Sequence, residues 1–380
     1  MKKTLLGLSL LAASFMASVP ANAYTLYADR TTSLRLYGPI YLYGLFDRDT
    51  NYNSQGVNQL NRSQYFRIRP IMYFYKRLDN KVSLTAYARF NFYYRWGQKF
   101  TRTLNDVGDR TIGYTVNDRK DKMFYNDRFY IRINHSDYGS ISLGKQSNFN
   151  LSFSGGYATF LTPYDLGSFN ATIGGLSSDK AVSYGSPRFG NHSFGLGVAQ
   201  TNAGTQTFYS FGYNYNIPDN KGTVYVYGAY NKPKSSYKKG TGAKTSLERF
   251  GTEVGYYATI GNYRHVVYLQ YANNSRSFDN TAKTIGSGIG YSGYYSFGKP
   301  NVYFTIAGAK RSVEASNVKT KTLYAGGTVG LSYRFFTVKS FSLTGYLEYY
   351  YQYTKTKVET NTYSSSLGTN SGAAGFILYF

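Results

Sequence analysis

The residues in this chain best placed to do chemistry are arginines. Arg67 and Arg69, Arg89 and Arg95, and Arg128 and Arg132 fall in three successive stretches at even spacings, and in a strand an even spacing keeps side chains on one face. Arg35 joins them from an earlier stretch. Positive charges gathered on one face attract an anionic solute or the phosphates of a lipid surface. Catalytic chemistry has far less to build on. The histidines His135, His192 and His265 lie at or near short turns, and no motif sets a serine and an acidic residue beside any of them, so the oriented base that activates a nucleophile is missing. There is no cysteine, and no pair of histidines has the spacing of metal ligands. Asp106, Asp109, Asp118 and Asp121 sit among Arg102, Arg110, Arg119 and Lys120, a mixture that reads as a solvated loop more readily than as a divalent-cation site. Gly286, Gly288 and Gly290 are followed by no helix, so they keep one face of a strand smooth instead of cradling a phosphate. No enzymatic activity, metal or cofactor is expected.

The elements that position the arginines alternate with period two. One face reads Leu34, Leu36, Gly38, Ile40, Leu42, Gly44, Phe46 against Arg35, Tyr37, Pro39, Tyr41, Tyr43. The next stretch sets Phe66, Ile68, Met72 and Phe74 against Arg67, Arg69, Tyr73 and Tyr75. A third sets Leu84, Ala86, Ala88, Phe90 and Phe92 against Tyr87, Arg89, Asn91, Tyr93 and Arg95. The same pattern predicts sixteen strands near 34–47, 63–76, 82–96, 125–135, 140–146, 180–186, 193–201, 207–216, 222–230, 249–260, 263–273, 284–297, 302–310, 322–336, 341–354 and 372–380. Their connections alternate between short turns, such as Pro218-Asp219-Asn220-Lys221, and longer polar loops, such as Gly97 to Phe124 and Lys355 to Ser371. Lipid on one face, a polar lumen on the other, and unequal rims specify an up-and-down transmembrane β-barrel. Sixteen antiparallel strands leave an aqueous channel, which an eight-stranded barrel does not.

Composition agrees. The chain of 380 residues holds 44 Tyr, 26 Phe and 40 Gly with 8 Pro, one Trp and no Cys; Tyr and Phe favour strands. An exported chain without disulfides needs another form of closure, and a sheet closed on itself supplies one. Export follows from Met1-Lys2-Lys3, an apolar run from Leu5 to Val19, and Ala21-Asn22-Ala23, the layout of a signal peptide over residues 1–23. Residues 24–380 then form one barrel domain. The balance of 43 basic and 19 acidic residues, net +24, would suggest nucleic acid in a cytosolic protein. Export and the interleaving of the basic residues with strands argue against that partner. Lys232, Lys234, Lys238, Lys239 and Lys244 either bind lipopolysaccharide phosphates or keep a rim soluble.

The segment 147–179 is too long for a casual connection. It carries Phe149, Phe153, Tyr157, Phe160, Tyr164 and Phe169 with few charges, unlike a disordered tail. It is expected to fold into the lumen and narrow it.

In these features the chain resembles the Gram-negative trimeric porins. The resemblance rests on Leu34, Leu36, Tyr37 and Gly38 after an acidic turn at Asp29; on Tyr65 and Arg67; on Arg128; on Tyr138-Gly139-Ser140 and Leu143-Gly144-Lys145 ahead of the long loop; and on the ending Ala374, Phe376, Leu378, Phe380. It implies an outer-membrane homotrimer passing small hydrophilic solutes, with a constriction loop whose carboxylates, Asp165 and Asp179 here, face the arginine ladder. It also implies that the 97–124 loop reaches a neighbouring subunit and that Phe376, Leu378 and Phe380 form the signal read by the assembly machinery. Pro39 stands where such porins often carry a basic residue. The alternatives are a channel selective for sugars or phosphate, with Tyr41, Tyr43, Tyr87 and Tyr93 stacking on sugar faces, and a structural or adhesin barrel. Cleavage after Ala23 predicts that N-terminal sequencing of the outer-membrane form begins at Tyr24; retention of Met1 would overturn the export reading.

Overall fold

Strand formers alternate with small residues along most of the chain, and the described residues fold as one sheet. The structure, a computed structural model, describes residues 25–51, 57–104, 111–147, 177–200, 206–233, 246–277, 283–315, 318–338, 341–359 and 364–380. The elements are β1 (Thr25–Ala28), β2 (Thr32–Tyr37), β3 (Pro39–Asn51), β4 (Val57–Ile68), β5 (Ile71–Arg77), β6 (Val82–Leu104), β7 (Thr111–His135), β8 (Gly139–Ser147), β9 (Ser177–Gly185), β10 (His192–Gln200), β11 (Gln206–Ile217), β12 (Gly222–Pro233), β13 (Ser246–Ile260), β14 (Tyr263–Ser277), β15 (Lys283–Ser296), β16 (Pro300–Ala315), β17 (Val318–Val338), β18 (Phe341–Val358) and β19 (Ser364–Tyr379).

Every pairing is antiparallel, and β19 returns to β3, so the sheet closes. β2 with β3, and β4 with β5, are single barrel strands with a break in each. The barrel therefore has sixteen strands. Both breaks are made by prolines, which cannot donate to a ladder. Gly38 precedes Pro39, and Arg69 precedes Pro70. At the break Gly38 has φ 151°, and a Cβ there would overlap the Arg69 carbonyl, so the two strands approach more closely than a side chain allows. The ladder is rejoined by Arg69 N–H donating to the Pro39 carbonyl at 3.0 Å and Phe90 N–H to that of Pro70 at 3.0 Å.

The seam ends at the same level. Gly38 N–H donates to the Phe380 carbonyl at 3.0 Å, and Phe380 N–H returns a bond to Gly38 at 3.2 Å. Below that point β19 has no more residues, and β1, which sequence reading did not anticipate, pairs with β2 there. The strands also run further than the sequence pattern implied. β6 continues to Leu104 and β7 begins at Thr111, so most of the expected 97–124 loop is a tall hairpin. Asp118 and Asp121 lie in β7, paired with Gln98 and Arg95, while Asp106 and Asp109 fall outside the described residues. Ser147 and Ser177 to Asp179 belong to strands too, because Gln146 pairs with Ser178 and Ser147 with Ser177.

The outer face is apolar and exposed: Leu143 (53%), Leu269 (57%), Ile289 (55%), Leu331 (52%) and Leu347 (58%) all lie bare, as lipid contact requires. The three histidines sit on this face at the short-turn rim, among aromatics. His135 lies 4.5 Å from Tyr138, His192 5.0 Å from Tyr215, and His265 5.5 Å from Tyr263 between ring centres. This is an interfacial belt.

The concave face is held by a repeated cross-strand pair. Tyr225 pairs with Gly255, Tyr268 with Gly290, Tyr303 with Gly330 and Tyr346 with Gly375. Each tyrosine comes from one strand of β12, β14, β16 and β18 and lies over the glycine of the next. A Cβ on Gly255, Gly290 or Gly330 would overlap the tyrosine ring, and at Gly375 it would meet the Tyr346 hydroxyl. The rings lie buried against the sheet, at 0, 6, 4 and 6% exposure, covering glycines that pack poorly alone.

Short turns are closed by aspartates. Asp29 accepts from the amides of Thr31 at 2.7 Å and Thr32 at 2.6 Å and from the Tyr27 hydroxyl at 2.6 Å; Asp79 accepts from Lys81 at 2.6 Å and Val82 at 2.7 Å. Lys81 Nζ reaches Asp137 at 2.6 Å and ties two turns together. The Lys81 ammonium lowers the Asp137 carboxyl, and the Lys81 and Val82 amides lower that of Asp79, below the ordinary 3.8.

Two predictions follow from these contacts. Gly290→Ala should lower the unfolding temperature in detergent by displacing the Tyr268 ring, at a cost of roughly 1–3 kcal/mol. Gly308→Ala, whose Cβ would sit an ordinary 3.6 Å from the Tyr324 carbonyl, should leave it unchanged. Because both rim carboxyls titrate lower when folded, their contribution is complete above about pH 4 and is lost as pH falls through the folded values. Protection of the Lys81 and Val82 amides against hydrogen exchange, corrected for intrinsic rates, should therefore hold from pH 7 to 5 and fall below about pH 4. Asp79→Asn should weaken it between pH 7 and 5 and abolish the fall at lower pH.

Candidate functional site

Alternation and register decide what faces the lumen. Arg35 pairs with Tyr73, Tyr73 with Tyr87 and Tyr87 with Tyr130 across the first four barrel strands. One level up, Ile71 pairs with Arg89 and Arg89 with Arg128. Above the proline breaks Tyr41 pairs with Arg67 and Arg67 with Tyr93, and the next row is Tyr43, Tyr65, Arg95. These positions, with Arg132, lie opposite the lipid-facing residues. The structure thus brings all seven arginines expected from the sequence onto one side of the lumen wall.

The guanidiniums do not stand apart from the tyrosines. Arg95 lies 5.2 Å from the centre of the Tyr65 ring, Arg69 5.9 Å from that of Tyr41 and Arg132 5.3 Å from that of Tyr130, within cation–π range. Tyr43 stacks on Tyr65 at 4.6 Å and Tyr87 on Tyr130 at 5.0 Å, while Tyr65 and Tyr93 meet at 5.5 Å. Arg132 Nε donates to Ser142 Oγ at 2.7 Å. Arg67 Nε and Arg69 Nε both donate to one oxygen, Asn91 Oδ1, at 2.8 and 3.0 Å.

Two inward-facing acids were missed by sequence reading, Glu253 opposite the arginines and Glu348 on β18, three strands from β4. Glu253 lies on β13, the tenth strand of the ring, eight strands from the one bearing Arg67 and Arg69. It is 4% exposed and accepts from Tyr225 Oη at 2.7 Å and Gln270 Nε2 at 2.6 Å. Glu348, 1% exposed, accepts from Tyr303 Oη at 2.7 Å. The alternation of Gly251-Thr252-Glu253-Val254-Gly255 could have marked Glu253 as inward; its partners come from two other strands and are set by register. Gly288 pairs with Gln270 and Ala309, and Gly290 with Tyr268 and Ala307, so the expected smooth face is covered at Gly290 by the Tyr268 ring. Asp165 lies outside the described residues, and Asp179 is placed only as a backbone position in β9.

Phe376 is exposed on the outer face, Leu378 is buried at 9%, and Phe380 ends the seam. Phe376 also borders an apolar depression in the outer wall with Leu42, Gly44, Leu331, Phe335 and Leu347.

Compared with known proteins, the chain matches the family described as Gram-negative porin over residues 7–337. The chain belongs to that family. Solved outer-membrane barrels share its fold. OmpT of Vibrio cholerae aligns at TM-score 0.62 and 16% identity over 94% of this chain and 99% of that one. The trimer form of OmpT aligns at TM-score 0.62 and 15% identity over 92% and 100%. An anion-selective porin from Comamonas acidovorans aligns at TM-score 0.56 and 16% identity over 92% and 100%. No curated protein sequence matches. As a Gram-negative porin, the chain is an outer-membrane β-barrel channel.

Proposed function

We propose that this porin passes small hydrophilic solutes passively with a preference for anions, and that the arginine wall of the first four strands sets the preference. The observation that carries the reading is the register that gathers Arg35, Arg67, Arg69, Arg89, Arg95, Arg128 and Arg132 on one side of the lumen. Among the described residues Arg264 and Arg311 add positive charge to the far wall, against Glu253 there and Glu348 on β18, three strands from β4. A lumen with excess fixed positive charge raises the local concentration of anions. Anion selectivity in the Comamonas acidovorans porin is consistent with this.

The signal peptide at 1–23 delivers the chain to the outer membrane, and Phe376, Leu378 and Phe380 act as the assembly signal. The segment around Asp165 narrows the lumen opposite the arginines, and Asp179 contributes at its base. The protein works as a homotrimer, as the trimer form of OmpT does, with the apolar depression around Leu347 and Phe376 turned toward a neighbour. Lysines near 232–244 meet lipopolysaccharide phosphates. No catalytic step is involved, since the histidines face outward among aromatics.

Reversal potentials across a salt gradient in planar bilayers test the reading. The porin should be anion-selective, and replacing Arg67 and Arg128 with Glu should shift it strongly toward cations. Neutralising the lysines of 232–244 should change little at 0.1 M salt, where screening acts over roughly 10 Å. Cation selectivity in the unaltered protein, or a larger effect from the lysines, would remove the arginine wall as the cause.

A further inference from the structure

The outer face of β16, β17 and β18 carries a group of lysines at the rim away from the short turns. Leu323 is cross-strand neighbour to Lys310 on one side and Lys355 on the other, and one level further out Lys321 stands directly opposite Lys357. Alternation fixes which way they face. Leu323 is 51% exposed on the outside, whereas Thr322 and Thr356 meet hydroxyl to hydroxyl at 3.4 Å on the lumen side. Like charges directly across a strand pair destabilise it, and the nearby acids answer only part of this group. Glu359 forms an ion pair with Lys321, and Glu314 is cross-strand neighbour to Lys319. Lys310, Lys355 and Lys357 are exposed and make no ion pair among the described residues.

Depth decides what these three lysines meet. A tilted strand crosses the hydrocarbon of a bilayer in about ten residues, and Leu323 stands that far along β17 from Tyr333, which packs against Phe335 near the short-turn rim. Leu323 is the last apolar residue on this face of β17, followed outward by Lys321 and Lys319. The lysines beside and beyond it are therefore at headgroup level, facing lipid, where the anions to be met are lipid phosphates. Lys310 and Lys355 stand two strands apart, about 10 Å, close enough for two lysine side chains to converge on one phosphate. Beneath them Gly308 and Ala325 form one row and Gly327 the next, bordered by Ile306, Tyr351 and Tyr353. A hydrocarbon chain hanging from that phosphate thus meets a shallow track. We propose that Lys310, Lys355 and Lys357 bind the phosphorylated headgroup of an outer-leaflet lipid, the phosphate lying over Leu323 and an acyl chain running down β17 across Ala325 and Gly327. The site rests on the reading above that lipopolysaccharide phosphates meet this rim and deepens it by placing the contact on the barrel wall.

The test uses the full-length porin in detergent micelles at neutral pH, measuring Kd by thermophoresis for diphosphoryl lipid A, for the same lipid stripped of its phosphates, and for inorganic phosphate. Diphosphoryl lipid A should bind about tenfold or more tighter than the stripped lipid, and inorganic phosphate, which has no chain to lay on the wall, should bind far more weakly. Replacing Lys310, Lys355 and Lys357 together with Gln should raise the Kd for diphosphoryl lipid A by about tenfold or more and leave that of the stripped lipid unchanged. Neutralising the lysines of 232–244 should have the smaller effect. The comparison of lipids on the unaltered porin keeps the proposal open to refutation where the triple variant does not assemble. Phosphate-dependent binding that survives the triple replacement and is lost with the lysines of 232–244 overturns the wall site alone. Equal binding of diphosphoryl and stripped lipid overturns both the wall site and the lipopolysaccharide-phosphate reading. Inorganic phosphate binding as tightly as diphosphoryl lipid A shows a site for free anions and overturns the proposal too.

Discussion

Closure of the sheet is the constraint on which the rest of this structure depends. In hydrocarbon no water replaces a missing partner, so a spanning sheet is stable only when its last strand meets its first. Here β19 runs along β3 and spends its final residue on a reciprocal pair of bonds with Gly38. That point coincides with the proline breaks, where two adjacent strands lack amide donors. Beyond it β2 would present a bare edge, and β1 covers part of that edge. Both ends of the described chain are therefore used to remove the same edge.

A closed wall of this width has no single packed core, and packing happens within the wall. The tyrosines of β12, β14, β16 and β18 lie flat over glycines of the following strands, and two of them are anchored by carboxylates, Tyr225 on Glu253 and Tyr303 on Glu348. One side of the lumen is thereby paved with neutral rings and carries buried acids. The first four strands do something different: their tyrosines stack on one another and support guanidiniums over the ring faces. The same residue type covers the sheet on one side and carries charge on the other. What differs is what stands across the strand pair: a glycine under each ring of β12, β14, β16 and β18, and a tyrosine or an arginine in the first four strands.

That division gives the channel a direction across its width as well as along its axis. Arg67 and Arg69 stand eight strands from Glu253, so part of the asymmetry comes from the wall itself. On the proposed anion preference, a solute entering the lumen meets fixed, preorganised charge, which alters its passage without any change of shape.

The sequence by itself determined the period-two alternation, and through it the barrel class, the strand number and the face on which each arginine stands. These are local properties: a side chain's face follows from its position along its own strand. The short turn Pro218-Asp219-Asn220-Lys221 was legible for the same reason, since its residues act on their immediate neighbours. Only the tertiary structure decided which residues oppose one another across strands. Register is a non-local quantity, and a slip of one residue would exchange the faces. The convergence of Arg67 and Arg69 on Asn91, the tyrosine–glycine pairs, the partners of Glu253 and the extension of the 97–124 region as strand all depend on it. So does the placement of Ser177 to Asp179 in β9, which bonds to β8 far back in the chain draw out of the expected loop.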